Sequence, residues 1–147
     1  MVEKVYVEVK QKIPPGIYVL PLSLTATGTA SKPIAAKRIA NFPIRNVTGM
    51  DFSPDGKRLI IRNYLTAHLY SRLENETWEE AINTSNPETV VLPLQRQGEA
   101  VCFTRDSKAL ILTSELTRQS IWQVDLAEYF KKPRRMKKSK TSSGSSR

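Results

Sequence analysis

Residues 47–72 (VTGMDFSPDGKRLIIRNYLTAHLYSR) recur as residues 98–126 (GEAVCFTRDSKALILTSELTRQSIWQVDL), and this internal repeat limits what the chain can fold into more than any other feature. Placing Phe52 on Phe103 pairs Ser53 with Thr104, Asp55 with Asp106, Lys57 with Lys108, and Leu59-Ile60-Ile61 with Leu110-Ile111-Leu112, all at one offset of 51 residues. Self-similarity at a fixed period of this length predicts stacked supersecondary units, each covering the apolar face of the next.

Within each copy the pattern predicts a first strand (48–53 and 100–104), a turn, a second strand (58–63 and 109–113) and a third (67–71 and 120–124). The turn Pro54-Asp55-Gly56-Lys57 carries a proline that presets φ, an aspartate that bonds its own backbone, and a glycine that accepts positive φ. Its counterpart, Arg105-Asp106-Ser107-Lys108, has neither Pro nor Gly and is the weaker signal. Consecutive Leu and Ile in the second strands suggest burial on both faces. A fourth strand is expected over 88–94, giving four antiparallel strands per unit. The N-terminal part fits the same scheme without its first strand: 5–9, 16–19 and 33–40 supply strands, with Pro14-Pro15-Gly16 as a turn. Between the third and fourth strands of the middle unit, residues 78–87 (WEEAINTSNP) read as a solvated loop with one helical turn, ended by Asn86-Pro87.

The run Phe52-Ser53-Pro54-Asp55-Gly56-Lys57, followed by an apolar strand and a third strand bearing Leu69-Tyr70, resembles the repeat of TolB-like and WD-repeat-like β-propellers over residues 5–126, although the Gly-His and Trp-Asp dipeptides of the WD repeat are missing. The resemblance implies an all-β fold: an incomplete β-propeller with two near-complete four-stranded antiparallel blades and a partial N-terminal blade. The expected division is 1–45 as a partial blade lacking its inner strand, 46–96 as a blade, 97–130 as a blade without a clear outer strand, and 131–147 as a disordered basic tail. A closed propeller takes about four to eight blades. Hence the chain is expected to be the C-terminal part of a longer protein, its partners being the remaining blades or another protein.

The formal charge of +9 is concentrated in the tail, where eight of the 23 basic residues follow Phe130 and leave 15 basic against 14 acidic residues in the rest. Lys131, Lys132, Arg134, Arg135, Lys137 and Lys138 are the candidates for loose, salt-sensitive attraction to nucleic acid or an anionic surface. Nothing in that run could read a base sequence. The opening MVEKVYVEVK has no apolar run long enough for a signal peptide or a membrane span, so the chain as written is expected in the cytoplasm; a truncated N-terminus would make it periplasmic or extracellular. Three N-x-[ST] triplets, beginning at Asn46, Asn75 and Asn83, matter only in that second case. The single cysteine, Cys102, lies between Val101 and Phe103 and is expected to be buried and inert.

Because antiparallel partners run in opposite directions, the start of each first strand and the end of each second strand share one rim, opposite the turn. That rim collects Thr48, Gly49, Arg62, Asn63 and Tyr64 from one unit and Gln97, Gly98, Glu99, Ser114 and Glu115 from the other. Apolar positions hardly differ between the copies, whereas these polar positions do. Arg62, Tyr64, Glu99 and Glu115 are therefore the ligand candidates: an arginine can clamp an anion, a tyrosine can donate to it, and two carboxylates can take a hard cation. No cofactor is expected beyond calcium at Glu99 and Glu115, and inter-blade ion pairing of the same residues is the competing structural role. Asp51, on an inner strand, should be hydrogen-bonded or ion-paired if buried. His68 is the sole histidine, too little for a metal cluster, and Trp78 and Trp122 fit packing positions. No catalytic set is recognisable. The expected function is a non-catalytic binding or interaction module; the alternative is part of an esterase-like or phytase-like propeller hydrolase with an anion or calcium site at the rim.

Overall fold

The computed structural model describes residues 3–10, 13–21, 35–42, 44–115, 117–131 and 135–137. Strands β1 (Glu3–Lys10), β2 (Ile13–Pro21) and β3 (Lys37–Asn41) form one antiparallel sheet in the order β1-β2-β3. The middle unit follows with β4 (Val47–Phe52), β5 (Arg58–Asn63) and β6 (Thr66–Ser71), then helix α1 (Trp78–Thr84), the short β7 (Ser85–Asn86) and β8 (Glu88–Val91); its sheet order is β4-β5-β6-β8. The third unit comprises β9 (Gly98–Phe103), β10 (Ala109–Ser114) and β11 (Trp122–Asp125), ordered β11-β10-β9. A four-residue helix α2 (Ala127–Phe130) and β12 (Arg135–Met136) complete the described elements.

The sheets stack face to face as blades. Because side chains alternate along a strand, the apolar run of β5 serves two interfaces at once. Leu59 and Ile61 join Ile17, Val19, Ile39, Phe42, Tyr70 and Trp78 in the core against the first blade. Ile60 joins Ala67, Leu69, Val90, Val101, Phe103, Leu110, Leu112 and Leu126 in the core against the third. In β10 the same run is buried on one side only: Leu110 and Leu112 are fully buried, while Ile111, on the other face, is half-buried. The architecture is an incomplete β-propeller.

Both β-turns are built by one hydroxyl and one carboxylate. Ser53 Oγ accepts from Arg58 N at 2.9 Å, and Asp55 Oδ1 accepts from Ser53 Oγ and from Lys57 N. In the third blade Thr104 Oγ1 accepts from Ala109 N at 3.0 Å and donates to Asp106 Oδ1, which also accepts from Lys108 N. Ser107 takes φ 60° where Gly56 has 67°. The Ser/Thr-x-Asp bracket thus holds the turn without Pro or Gly, carrying a left-handed serine that by itself costs about 1 kcal/mol.

Three expectations need correction. Pro14, Pro15 and Gly16 lie inside β2, because Lys10 already pairs with Ile13 and the chain reverses before the prolines. β3 pairs only from Gly16 onward and the β1–β2 register shifts between Glu8 and Lys10, so the prolines sit where β2 has one neighbour and its ladder is already interrupted. Residues 78–84 form a helix, not a solvated loop. Thr77 and Glu80 make a reciprocal capping box, and Trp78, Ala81 and Ile82 bury one face. In the basic tail, Arg135 and Met136 pair with Asn86 and Ser85, and Lys137 Nζ donates to Ile82 O at 2.7 Å, at the carbonyl end of α1, so disorder does not extend over these residues. Lys132, Arg134 and Lys138 lie outside the described residues. Among the described residues, no helix is long and apolar enough to cross a membrane.

Candidate functional site

The second and third blades meet along their inner strands, and backbone spacing there is set by Gly49. A β-carbon on Gly49 would stand 2.5 Å from Glu99 O and 3.2 Å from Val101 Cγ1. This approach lets Thr48 Oγ1 donate to Gly98 O at 3.1 Å and Phe103 N donate to Asp51 Oδ2 at 2.8 Å. Asp51 therefore ties one blade to the next through an otherwise unpaired backbone donor.

Arg62, expected at the rim as an anion clamp, is fully buried beneath it. Its Nε donates to Asn63 O at 3.1 Å, and its Nη1 donates to Ala100 O at 3.0 Å and to Gln95 Oε1 at 3.2 Å, while Nη2 and Gln95 Nε2 are buried with no hydrogen-bond partner. The reason is Gly98: with no side chain on β9 at that point, the guanidinium occupies the space a β-carbon would take. Burial pulls the Arg62 pKa below its ordinary value, and the Glu99 charge opposes that shift.

The exposed part of the rim is acidic. Tyr64 Oη donates to Glu99 Oε1 at 3.2 Å, linking the end of β5 to β9, and this bond together with the Glu99 charge raises the phenol pKa. Glu99 also shares a hydrogen bond with Glu115, just past the end of β10. That bond, with the repulsion between the two carboxyls, holds the Glu115 pKa above its ordinary value of 4.5. The structure thus brings Tyr64, Glu99 and Glu115 together and places Arg62 below them. Among the described residues no group of three or more His, Cys, Asp or Glu side chains could hold a metal ion.

A raised carboxyl pKa contributes stability that is fully present below the unfolded value and is lost as pH rises through the folded one. Glu115→Gln keeps the protonated shape at every pH. Its melting temperature should therefore exceed that of the unmodified chain at pH 7 and coincide with it near pH 4. Parallel melting curves for the two proteins across that range would dismiss the carboxyl pair.

His68 is half-buried, edge-on to Phe42 at 6.3 Å and 3.2 Å from Thr66 Oγ1, and burial lowers its pKa. Trp78 packs at 5.1 Å from Phe52, but Trp122 is 43% exposed. In the tail, Lys131 Nζ lies 3.9 Å from Glu128 Oε1, and Lys137 is taken up by α1 as above.

The feature that sequence reasoning missed is the far face of the third blade. Cys102, expected to be buried, is exposed, because alternation along β9 turns Val101 and Phe103 toward the second blade and Ala100 and Cys102 away from it. Ala100, Cys102, Ile111, Thr113 and Ile121 line a shallow groove there of about 140 Å³. The repeat held the signal. Gly49 and Asp51, which meet the next blade, align with Ala100 and Cys102, whose side chains among the described residues face no further blade.

Fold and rim together define an open stack of propeller blades. A solved structure, TolB from Acinetobacter baumannii, is similar to it with a TM-score of 0.51 and 24% sequence identity, over 85% of this chain and 27% of that one. The fold is TolB-like, and the chain spans about a quarter of the length of that relative. No protein-family model and no curated protein matches the sequence.

Proposed function

We propose that this chain is a non-catalytic, propeller-type protein-interaction module, and that the uncovered face of its third blade is the surface through which it joins a larger assembly. One observation carries this reading. The repeat-equivalent face of the second blade is covered by β9 and buries Ile60, Ala67 and Leu69, whereas on the third blade Ala100, Cys102 and Ile121 are exposed. An apolar sheet face of this kind marks a place for another surface. The alternative, a propeller hydrolase with calcium at Glu99 and Glu115, draws on a pair that already has a buried guanidinium beneath it.

Cys102 offers a direct test. In the purified chain its thiol should react at the rate of a free cysteine. Carrying a benzophenone maleimide, it should photocrosslink one defined polypeptide in an extract of the source cells, and Ala100→Arg should remove that adduct. A thiol that resists modification in the isolated chain, or adducts indifferent to Ala100→Arg, would end this reading.

A further inference from the structure

The third blade lacks more than a covered face. In the second blade the outermost position is filled by β8, which pairs antiparallel with β6 through Ala67↔Val90 and Leu69↔Glu88. The equivalent edge in the third blade belongs to β11, and among the described residues nothing pairs with it. The chain that follows β11 leaves that edge. Helix α2 turns toward the second blade, where Phe130 lies 3.8 Å from the Arg58 guanidinium, Tyr129 Oη meets Val91 N at 3.1 Å, and β12 adds to β7. The residues one would expect to supply a fourth strand instead cover the outer edge of the preceding blade.

The free edge is preformed for strand addition. Leu126 N donates to Lys108 O, as Arg72 N does to Lys57 O in the second blade. Antiparallel alternation then turns the amides of Gln123 and Asp125 outward, as it turns those of Leu69 and Ser71 toward β8. The third strand is displaced by three residues relative to the 51-residue offset, since Leu69 lies opposite Ile60 but Gln123 opposite Ile111. Ala67, which faces Val90, is thereby matched by Ile121, which is 74% exposed. A groove of about 890 Å³ between the β9–β10 turn and α2 reaches this strand, where Gln123 and Asp125 contribute to its lining.

We propose that the edge of β11 binds an extended segment of a partner protein as an antiparallel fourth strand, with a β-branched apolar residue opposite Ile121. Such a segment gains main-chain hydrogen bonds along the edge and specificity from its alternate side chains. The proposal rests on the interaction reading above and shares Ile121 with that face, but its main-chain contacts use a different feature, the outward amides of β11, whereas Cys102 and Ala100 lie on β9, two strands away.

The probe is a synthetic peptide with the sequence of residues 86–94 (NPETVVLPL), the segment containing the strand that fills this position in the second blade. On titration into the intact chain it should shift the fluorescence of the half-exposed Trp122 and slow hydrogen exchange at the Gln123 and Asp125 amides by about tenfold or more. Gln123→Pro removes an outward N–H and no ladder bond, so it should abolish binding while circular dichroism shows a folded protein. Should that variant fold poorly, the peptide settles the matter: N-methylation on its edge-facing amides should abolish binding, and N-methylation on the others should not. Three outcomes overturn the proposal: no binding up to ~1 mM peptide, binding that survives edge-facing methylation, or Gln123 and Asp125 amides already protected in the free chain. Ala100→Arg should leave peptide binding unchanged, so failure at this edge is separable from failure of the face on β9.

Discussion

Gly49→Val should lower the stability of the chain by about 3 kcal/mol, the upper part of the range for overpacking a close-packed site. The direction is not obvious from the strand alone. Valine favours a pleated strand and glycine disfavours one, so β4 by itself would gain from the change. Sterics decide the sign, because a β-carbon here meets Glu99 O at 2.5 Å, and a backbone carbonyl cannot rotate away as a side-chain end can. Relief requires β4 and β9 to separate, which stretches the Thr48–Gly98 and Asp51–Phe103 bonds, worth about 1 kcal/mol each. The internal control is Ala100→Val, at the repeat-equivalent position on the open face, which should fall within about 0.5 kcal/mol of the unmodified chain. Urea unfolding reads both, with the midpoint moving and the slope unchanged. Equal effects at the two positions would mean that the second and third blades do not meet at Gly49.

That contrast shows what the repeat made legible and what it concealed. Matching Phe52 to Phe103 located both inner strands, both turns and the two-faced packing of Leu59-Ile60-Ile61, since strand alternation and turn chemistry are local properties. The same match hid Cys102. An apolar strand reads as covered on both sides, yet burial of its far face depends on a neighbour that no pattern within the strand reports. The alignment of Asp51 with Cys102 was the available clue, because a carboxylate in one copy is replaced by a thiol in the other. Helix α1 was illegible for a different reason. Its buried residues, Trp78, Ala81 and Ile82, are too few to establish a helical period, and the cap formed by Thr77 and Glu80 was the stronger signal. Pro14-Pro15-Gly16 misled because turn residues also serve at the singly paired end of a strand.

At the rim, strand order gave the right neighbourhood and the wrong depth. Tyr64, Glu99 and Glu115 do converge, as positions at the ends of antiparallel strands must. Arg62 was expected among them because it stands at the end of the second strand, where the polar positions differ between the copies. Its burial follows from a residue one strand away, Gly98, which opens room beside β9, and from three oxygens, on Asn63, Gln95 and Ala100, that accept most of its donors. The polar differences between the copies thus record two uses of one position: Arg62 braces a covered interface, and its equivalent Thr113 lines an open one.

The second large effect tests that brace. Gly98→Ala should destabilise the chain by about 2 kcal/mol, since its new methyl would overlap Arg62 Nη2 and lie 2.9 Å from Gln95 Oε1. Arg62→Met has opposing consequences. It removes a buried cation whose Nη2 lacks a partner, and it strips the donor from three oxygens. Replacing a buried charge with a well-packed apolar side chain is often close to neutral, so the single change should cost less than Gly98→Ala. In the Arg62→Met background the cost of Gly98→Ala should fall to a few tenths of a kcal/mol, because a flexible thioether can yield where a tethered guanidinium cannot. The double-mutant cycle should then show a coupling of at least about 1 kcal/mol between two residues on neighbouring blades. Additive effects would place the Arg62 guanidinium elsewhere, and the interlock of the second and third blades would have to come from the Thr48, Asp51 and Tyr64 hydrogen bonds and from apolar burial.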